Sequence, residues 1–162
     1  MMRIFFFTLS LIFSMNLQAQ EQKNSNRHFS HTATTTASAE AIWQVWTDVP
    51  NWKNWDSGLK DASMEDRFGL NAKGEILSLE DRSSAFEIVE YQAGESYTMK
   101  TRLPLGSLFV RRFLEQKDGS TVFTHEVWFA GISRGLFAST FGKKFRAMLP
   151  EVLENIKEIV EK

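Results

Sequence analysis

The strongest constraint in the sequence is the stretch IWQVWTDVPNWKNWD, which holds four of the five tryptophans of the chain. Trp43 and Trp46 are three residues apart, so they share one face of a helix. Pro50 ends that helix, because a proline disfavours helical geometry at the residue before it. Trp52 and Trp55 repeat the spacing and predict a second short helix. Two short helices with aromatic faces need a large apolar partner, so we expect the rest of the chain to supply a curved surface around them.

The composition indicates a single domain with a highly aromatic interior. The chain has 162 residues, of which 43% are hydrophobic and 13% aromatic, including 14 Phe. This length suits one domain, and so many apolar side chains argue against disorder. An excess of Phe and Trp can line a cavity as well as fill a core. The chain has no Cys, which excludes disulfides, a thiolate nucleophile and cysteine-ligated metals.

The first residues, MMRIFFFTLSLIFSMNLQAQ, have the layout of a secretory signal peptide. Arg3 precedes an apolar run, Ile4–Met15, that is too short to span a bilayer comfortably. We predict cleavage after Ala19, with a retained membrane anchor as the alternative. The protein is then exported, periplasmic or secreted, with no integral membrane segment left. The predicted division is a signal peptide at 1–19, a flexible mature N-terminus at 20–26 and one domain at 27–162.

The charge balance gives little sign of a polyanionic partner. After cleavage the chain keeps 18 basic and 20 acidic residues, a net charge of −2. No block of like charge stands out along the sequence. We therefore predict no nucleic-acid partner, and the net charge also disfavours anionic membrane surfaces.

The remaining sequence alternates between strand and turn signals. We predict a first strand at Arg27–Thr36 and, after the capping residue Ser38, a helix at Ala39–Thr47. The second short helix is expected at Trp52–Ser57. Six further strands, joined by short turns, form an antiparallel meander. Their predicted ranges are Leu59–Asp66, Ala72–Glu80, Ala85–Tyr91, Glu95–Leu103, Ser107–Gln116 and Ser120–Ala130.

Apolar residues at spacings of three and four predict a long C-terminal helix at Phe137–Glu161. Pro150 lies inside it and lacks the backbone donor that a helix interior uses. We therefore expect a kink around Ala147–Pro150.

Two motifs accompany this order of elements. The first is Trp43 followed by Asp48, with the pair Trp52 and Trp55 after it. The second is a late strand of the form Gly-x-Thr-x-x-x-His with an aromatic residue and a glycine after it. Its members are Gly119, Thr121, His125, Phe129 and Gly131. Over residues 27–162 the chain thereby resembles the START / polyketide cyclase-like superfamily (SRPBCC, Bet v-type).

The resemblance implies an α+β helix-grip fold. In this fold a curved antiparallel β-sheet wraps around a long C-terminal helix, and two short helices follow the first strand. It also implies an apolar cavity between the sheet and the helix. It does not fix a function, because members of one fold differ in ligand and activity.

His125 and one of two adjacent arginines are the candidate polar site residues. His125 shares a strand face with apolar residues and should point inward, either as a ligand-contacting acid or base or as a structural histidine. Arg111 and Arg112 alternate, so one of them faces the cavity and would suit a carboxylate or enolate, unless both reach solvent. His28 and His31 face opposite sides of their strand, and we predict no metal and no cofactor.

Aromatic and apolar residues of the expected interior are the predicted ligand contacts, with plain core packing as the alternative. Among them, the pair Trp52 and Trp55 is expected at the cavity mouth. The full set is Trp52, Trp55, Leu77, Tyr97, Met99, Thr101, Phe123, Phe137, Phe141 and Phe145.

Two functions follow from this site. The preferred one is binding or carrying a small hydrophobic ligand, such as a lipid-, polyketide- or isoprenoid-like molecule. The alternative is a cyclase or dehydratase that uses His125 as acid or base and Arg112 or Arg111 to stabilise an enolate. A third reading, an adaptor that binds partners through the convex face, requires an exposed apolar patch there.

Overall fold

The computed structural model describes residues 25–162, and it contains one antiparallel sheet and a long C-terminal helical run. The predicted signal peptide and its cleavage site lie outside these residues. The strands are β1 (His28–Thr35), β2 (Leu59–Met64), β3 (Lys73–Ser78), β4 (Ser83–Gln92), β5 (Ser96–Leu103), β6 (Gly106–Lys117) and β7 (Ser120–Gly131). The helices are α1 (Ala39–Thr47), a 3-10 helix (Val49–Asn54), α2 (Arg134–Phe137), a π-helical segment (Ala138–Gly142) and α3 (Lys143–Val160).

The seven strands are ordered β1-β7-β6-β5-β4-β3-β2. The strands β2 to β7 form the predicted meander, and β1 pairs with β7 from His28 opposite Trp128 to Thr35 opposite Thr121. Because the strands alternate in direction, the turns sort into two ends of the sheet. We call the lower end the one with the β3–β4 turn, the β5–β6 turn and the end of β7. The upper end has the β2–β3, β4–β5 and β6–β7 connections.

The end of α1 organises the tryptophan stretch. Ser38 caps the helix by accepting a hydrogen bond from the Ala41 N–H at 3.2 Å. The helix stops at Thr47, so the Trp46 carbonyl is among those with no helical donor. It accepts from the Trp52 indole N–H at 2.9 Å and from the Tyr97 hydroxyl at 3.3 Å. The C-terminal end of α1 therefore anchors both the next helix and strand β5.

The second short helix is displaced from its predicted position. It spans Val49–Asn54 rather than Trp52–Ser57, with Trp55 just past its end. Pro50 lies in its first turn, where the missing backbone donor has no partner in any case. The proline that ends α1 therefore also begins the next helix.

The C-terminal helix loses its regular geometry at a different place from the predicted kink. The helix α3 continues through the exposed Pro150 from Lys143 to Val160. The irregular geometry lies instead in the π-helical segment Ala138–Gly142. At that point the helix contacts the chain before β1, because a Cβ on Gly142 would lie 2.1 Å from the Asn26 carbonyl oxygen. No helix within residues 25–162 has the length and apolar character that crossing a bilayer requires.

The apolar side chains between sheet and helix form two clusters. The first contains the tryptophans of the opening stretch, Tyr97 and Phe123, covered by Leu153 and Ile156 of α3. The second lies toward the lower end and has a fully buried centre at Phe29. Its helix side is only partly buried and consists of Phe137, Phe141 and Phe145. Burial of each large apolar side chain contributes roughly 1.5–3 kcal/mol, so the first cluster contains most of the stabilising packing.

Two glycines in the C-terminal helical run provide a test of this packing. Gly142→Ala should lower the free energy of unfolding by about 1–3 kcal/mol, because the new methyl group would collide with the Asn26 backbone. In Gly135→Ala the methyl would meet only the Arg27 side chain, at 3.5 Å. That variant should keep or gain stability, by up to about 1 kcal/mol, through helix propensity. Urea unfolding measures the stability of both variants. Equal changes in the free energy of unfolding would contradict the close approach at Gly142.

Candidate functional site

Arg112 is the inward-facing arginine of strand β6. Its side chain is 3% exposed, whereas Arg111 is exposed on the outer face. Arg112 lies opposite Tyr97 of β5 and opposite His125 of β7 in the sheet register. Paired residues point to the same face, so these three side chains form one row across the inner surface. The structure thereby decides between the two arginines.

Aromatic rings surround the Arg112 guanidinium. Its central carbon lies 4.8 Å from the ring centroids of Trp52 and Trp55 and 5.5 Å from that of Tyr97. One guanidinium N–H also donates to the Tyr97 hydroxyl. These cation–π contacts offset part of the cost of burying the charge. Among the ion pairs of residues 25–162, none joins Arg112 to a carboxylate.

Asp56 is the acidic group whose electrostatics respond to Arg112. Burial raises the pKa of the Asp56 carboxyl above its ordinary value, although the Arg112 charge and the Gly58 N–H both lower it. The Gly58 N–H donates to this carboxyl at 3.0 Å. We did not single out Asp56 from the sequence. Its position directly after Trp55, in the tryptophan stretch, was the available signal.

His125 is buried beside the same rings. It is 1% exposed, with its ring 5.5 Å from Trp46 and 6.0 Å from Trp55. Burial first, and then the charges of Arg112 and His31, lower the pKa of His125 well below its ordinary value. The imidazole is therefore neutral at pH 7.

Four buried nitrogens around Arg112 have no hydrogen-bond partner among the described residues. They are Nε1 of Trp46, Nε1 of Trp55, Nε of Arg112 and Nε2 of His125, and we call these four side chains the nitrogen cluster. Leaving a buried polar group unpaired costs about 1–3 kcal/mol. Three of the four nitrogens are donors in every protonation state, and His125 Nε2 is a donor in one tautomer. The cluster is therefore complementary to a hydrogen-bond acceptor.

Most of the predicted ligand-binding residues are in the interior, but the structure differs from the expected positions in two respects. Trp52 and Trp55 are fully buried against Arg112 and do not lie at a cavity mouth. Leu77 is on the outer face, because Gly74 and Ile76 of its strand pair with the inward side of β4 and Leu77 has the opposite parity. Ile76 packs on the core instead. The predicted residues that are buried inside are Trp52, Trp55, Tyr97, Met99, Thr101 and Phe123.

Phe137, Phe141 and Phe145 form a stacked ladder along the helical run. Successive ring centroids are 6.0 and 6.3 Å apart. Below Arg112 and His125, the next inward pairs of β6 and β7 are Val110 with Val127 and Leu108 with Phe129. These residues pack in the same cluster as the ladder. An apolar lane, defined by these two pairs and the ladder, thus connects the nitrogen cluster to the lower end.

A cleft at the surface is unrelated to these residues. It is an open cleft at the upper end, between the end of β1 and the last turn of α3, and it is lined by Thr34, Lys157 and Glu161 among others. None of the predicted ligand-binding residues lines it. Within residues 25–162, no group of three or more His, Asp or Glu is placed to hold a metal ion.

Comparisons with known proteins agree with this architecture. A family model described as polyketide cyclase / dehydrase and lipid transport matches residues 26–161. No curated protein matches the chain. A solved structure from Arthrobacter aurescens is 17% identical, with a TM-score of 0.62, over 83% of this chain and 86% of that one.

Two further solved structures have the same fold at lower identity. Ara h 8.0201 is 11% identical, with a TM-score of 0.63, over 83% of this chain and 97% of its own. StfQ, a di-domain ARO/CYC from the steffimycin biosynthetic pathway, is 11% identical, with a TM-score of 0.68, over 87% of this chain and 53% of its own. With its curled seven-stranded sheet, its long C-terminal helix and the match over residues 26–161, the chain belongs to the polyketide cyclase / dehydrase and lipid transport family, of the helix-grip (SRPBCC) type.

Proposed function

We propose that this protein binds a hydrophobic molecule that carries a hydrogen-bond-accepting head group. The head group lies at the nitrogen cluster, and the apolar body lies along the lane between the sheet and the Phe137–Phe145 ladder. The observation that carries the proposal is the set of four unpaired nitrogens in one contiguous, buried group.

The charge of the site favours an anionic head group, such as a carboxylate. Arg112 is a buried cation that contacts ring faces and one hydroxyl, with no carboxylate paired to it among the described residues. An anionic acceptor would compensate this charge and form charge-assisted hydrogen bonds. Burial of the apolar body adds about 25 cal/mol per Å² before ordering costs. A linear or fused-ring lipid-like acid meets both requirements.

A cyclase or dehydratase is the second candidate. It is favoured by the cross-strand pairing of Arg112 and His125 and by the likeness to StfQ, an ARO/CYC protein. Proton abstraction is less well supported, because the lowered pKa of His125 makes it a weak base. A neutral imidazole suits hydrogen bonding to a head group better. Binding therefore remains the preferred function.

Export also remains a prediction. It rests on the signal-peptide pattern of residues 1–19, which lie outside the described residues.

Replacing the buried arginine tests the proposed function. Arg112→Met removes the charge and the donors but keeps an unbranched side chain. We expect it to weaken the binding of laurate by about tenfold or more, since a hydrogen bond to a charged group contributes about 1.5–3 kcal/mol. Folding stability should be kept or raised, because replacing a buried charge with an apolar residue often stabilises. Isothermal titration and thermal unfolding measure the two quantities.

Arg111→Met is the matched control, since it makes the same substitution one residue away on the outer face. It should leave laurate affinity unchanged. If both variants bind laurate as the natural protein does, the head-group site is not at Arg112. An equal loss of laurate affinity in both variants would indicate a general effect of the protein's charge.

The buried neutral state of His125 predicts a pH-dependent stability. The folded pKa is depressed and the unfolded pKa is about 6.5. Below that pH the unfolded chain binds a proton that the folded chain does not, so stability falls as the pH falls. Lowering the pH from 7.5 to 5.5 should therefore reduce the free energy of unfolding by about 1.4 kcal/mol through this residue.

His125→Gln lacks the imidazole, so its stability should no longer show the part of the pH dependence that His125 contributes. Urea unfolding of both proteins across the pH range isolates it, because the two proteins differ only at this residue. Parallel stability curves would show that His125 is protonated, or accessible to protons, in the folded protein.

A further inference from the structure

Most of the exposed large apolar side chains of the described residues lie at one end of the sheet. Six large apolar side chains of the described residues are exposed, and four of them lie at the lower end. They are Leu79, Leu105, Ile132 and Leu136. Leu105, Ile132 and Leu136 are 74%, 88% and 68% exposed. Side chains this exposed contribute little to the core, so their position needs another explanation.

Two loops hold these side chains together. Leu105 lies in the β5–β6 turn and Ile132 follows β7, and the Leu105 carbonyl accepts hydrogen bonds from the Ile132 and Ser133 N–H groups at 2.9 and 3.4 Å. Leu136 follows in α2, four residues after Ile132. We call Leu105, Ile132 and Leu136 the apolar tip. The tip lies where the apolar lane from the nitrogen cluster reaches the surface.

The backbone at Leu105 makes this arrangement costly. Its φ angle is +58°, which is in the left-handed region that favours glycine and is uncommon for a bulky side chain. Glycine would relieve the backbone and would remove an exposed apolar group. A leucine here therefore lowers the stability of the free protein through its backbone, and its exposed side chain gains little burial in return.

Basic residues surround the apolar tip. Between Arg134 and Arg146 every charged residue of the helical run is basic, and four such residues are present. Arg102, next to the β5–β6 turn, is basic and exposed as well. The acidic residues of the β3–β4 turn are already paired, Glu80 with Lys144 and Asp81 with Lys60.

The charges at the start of the helical run oppose the helix dipole. Cations are stabilising near a helix C-terminus and anions near its N-terminus. Here the basic residues are at the start of the run, whereas Glu151, Glu154, Glu158 and Glu161 fall in its second half together with Lys157. The net charge of −1 for the whole chain hides this separation. The inference from net charge that anionic surfaces are disfavoured therefore does not hold for the lower end.

We propose that the lower end docks on a bilayer that contains anionic phospholipid. The apolar tip enters the interfacial layer, while Arg102, Arg134 and Lys143 contact the phosphate groups. An amphipathic surface of apolar side chains ringed by cations has the chemistry of interfacial binding. In this orientation the lower end of the apolar lane faces the membrane. The proposal does not depend on which ligand the protein binds.

The absence of cysteine from the chain permits a local test. Leu105→Cys, Ile132→Cys and, at the upper end, Leu70→Cys are each labelled with the environment-sensitive dye NBD in the full chain. Leu70 is a matched control because it is also an exposed leucine, at 57%. With phosphatidylcholine vesicles that contain phosphatidylglycerol, the dyes at 105 and 132 should shift to shorter wavelength and brighten. The dye at 70 should not change.

A local probe separates docking from any attachment through other parts of the chain. Equal responses at the three positions, or no response at 105 and 132, would overturn the proposal. In the second case a protein partner becomes the candidate occupant of the apolar tip. A response of equal size with pure phosphatidylcholine would overturn the role of the cations.

Two sets of substitutions test the parts of the surface. Leu105→Gly should weaken vesicle binding by about tenfold while thermal stability stays the same or rises. Arg134→Gln and Lys143→Gln should each weaken it by about fivefold, and neither should destabilise the helix. Reduced stability with unchanged vesicle binding in Leu105→Gly would show that Leu105 serves the fold alone.

Discussion

The burial of one guanidinium determines much of this structure. Arg112 lies in the middle of a central strand, where a cation is costly unless aromatic faces and hydrogen-bond acceptors surround it. Trp52 and Trp55 supply two ring faces, and Tyr97 supplies a third face and a hydroxyl. The same hydroxyl donates to the carbonyl at the end of α1. The short helices, the sheet and the charge are thereby connected through a few direct contacts.

The second consequence of this burial is chemical. The rings that shelter Arg112 bring their own N–H groups into the interior, and Trp46 and Trp55 keep these groups unpaired. A core that served packing alone would contain apolar groups or satisfied polar groups. Unpaired nitrogens, an exposed leucine with a left-handed backbone and basic residues at the start of a helical run each lower stability. Such costs collect at functional sites, and here they lie at the two ends of one apolar lane.

Local patterns were sufficient to predict the order of the elements, and the family resemblance supplied the helix-grip architecture. Strand alternation, turn residues and the Ser38 cap gave the order of the elements, the helix Ala39–Thr47 and the inward position of His125. The choice between Arg111 and Arg112 needed the register with β5 and β7, which a strand's own sequence does not contain. Leu77 was misplaced because Gly74 and Lys73 leave the alternation of that strand ambiguous. The π-helical segment ends at Gly142, which closely approaches Asn26, and Asn26 is remote in sequence.

The indole N–H signals of Trp46 and Trp55 test the central claim most directly. In a ¹H–¹⁵N spectrum each tryptophan gives one indole resonance, and an N–H that acquires an acceptor shifts downfield. On titration with laurate, the account predicts that Trp46 and Trp55 shift in this way, while Trp52, already bonded to the Trp46 carbonyl, and the outer-face Trp128 change little. Binding of laurate with unshifted Trp46 and Trp55 resonances, or with a shift confined to Trp128, would contradict it.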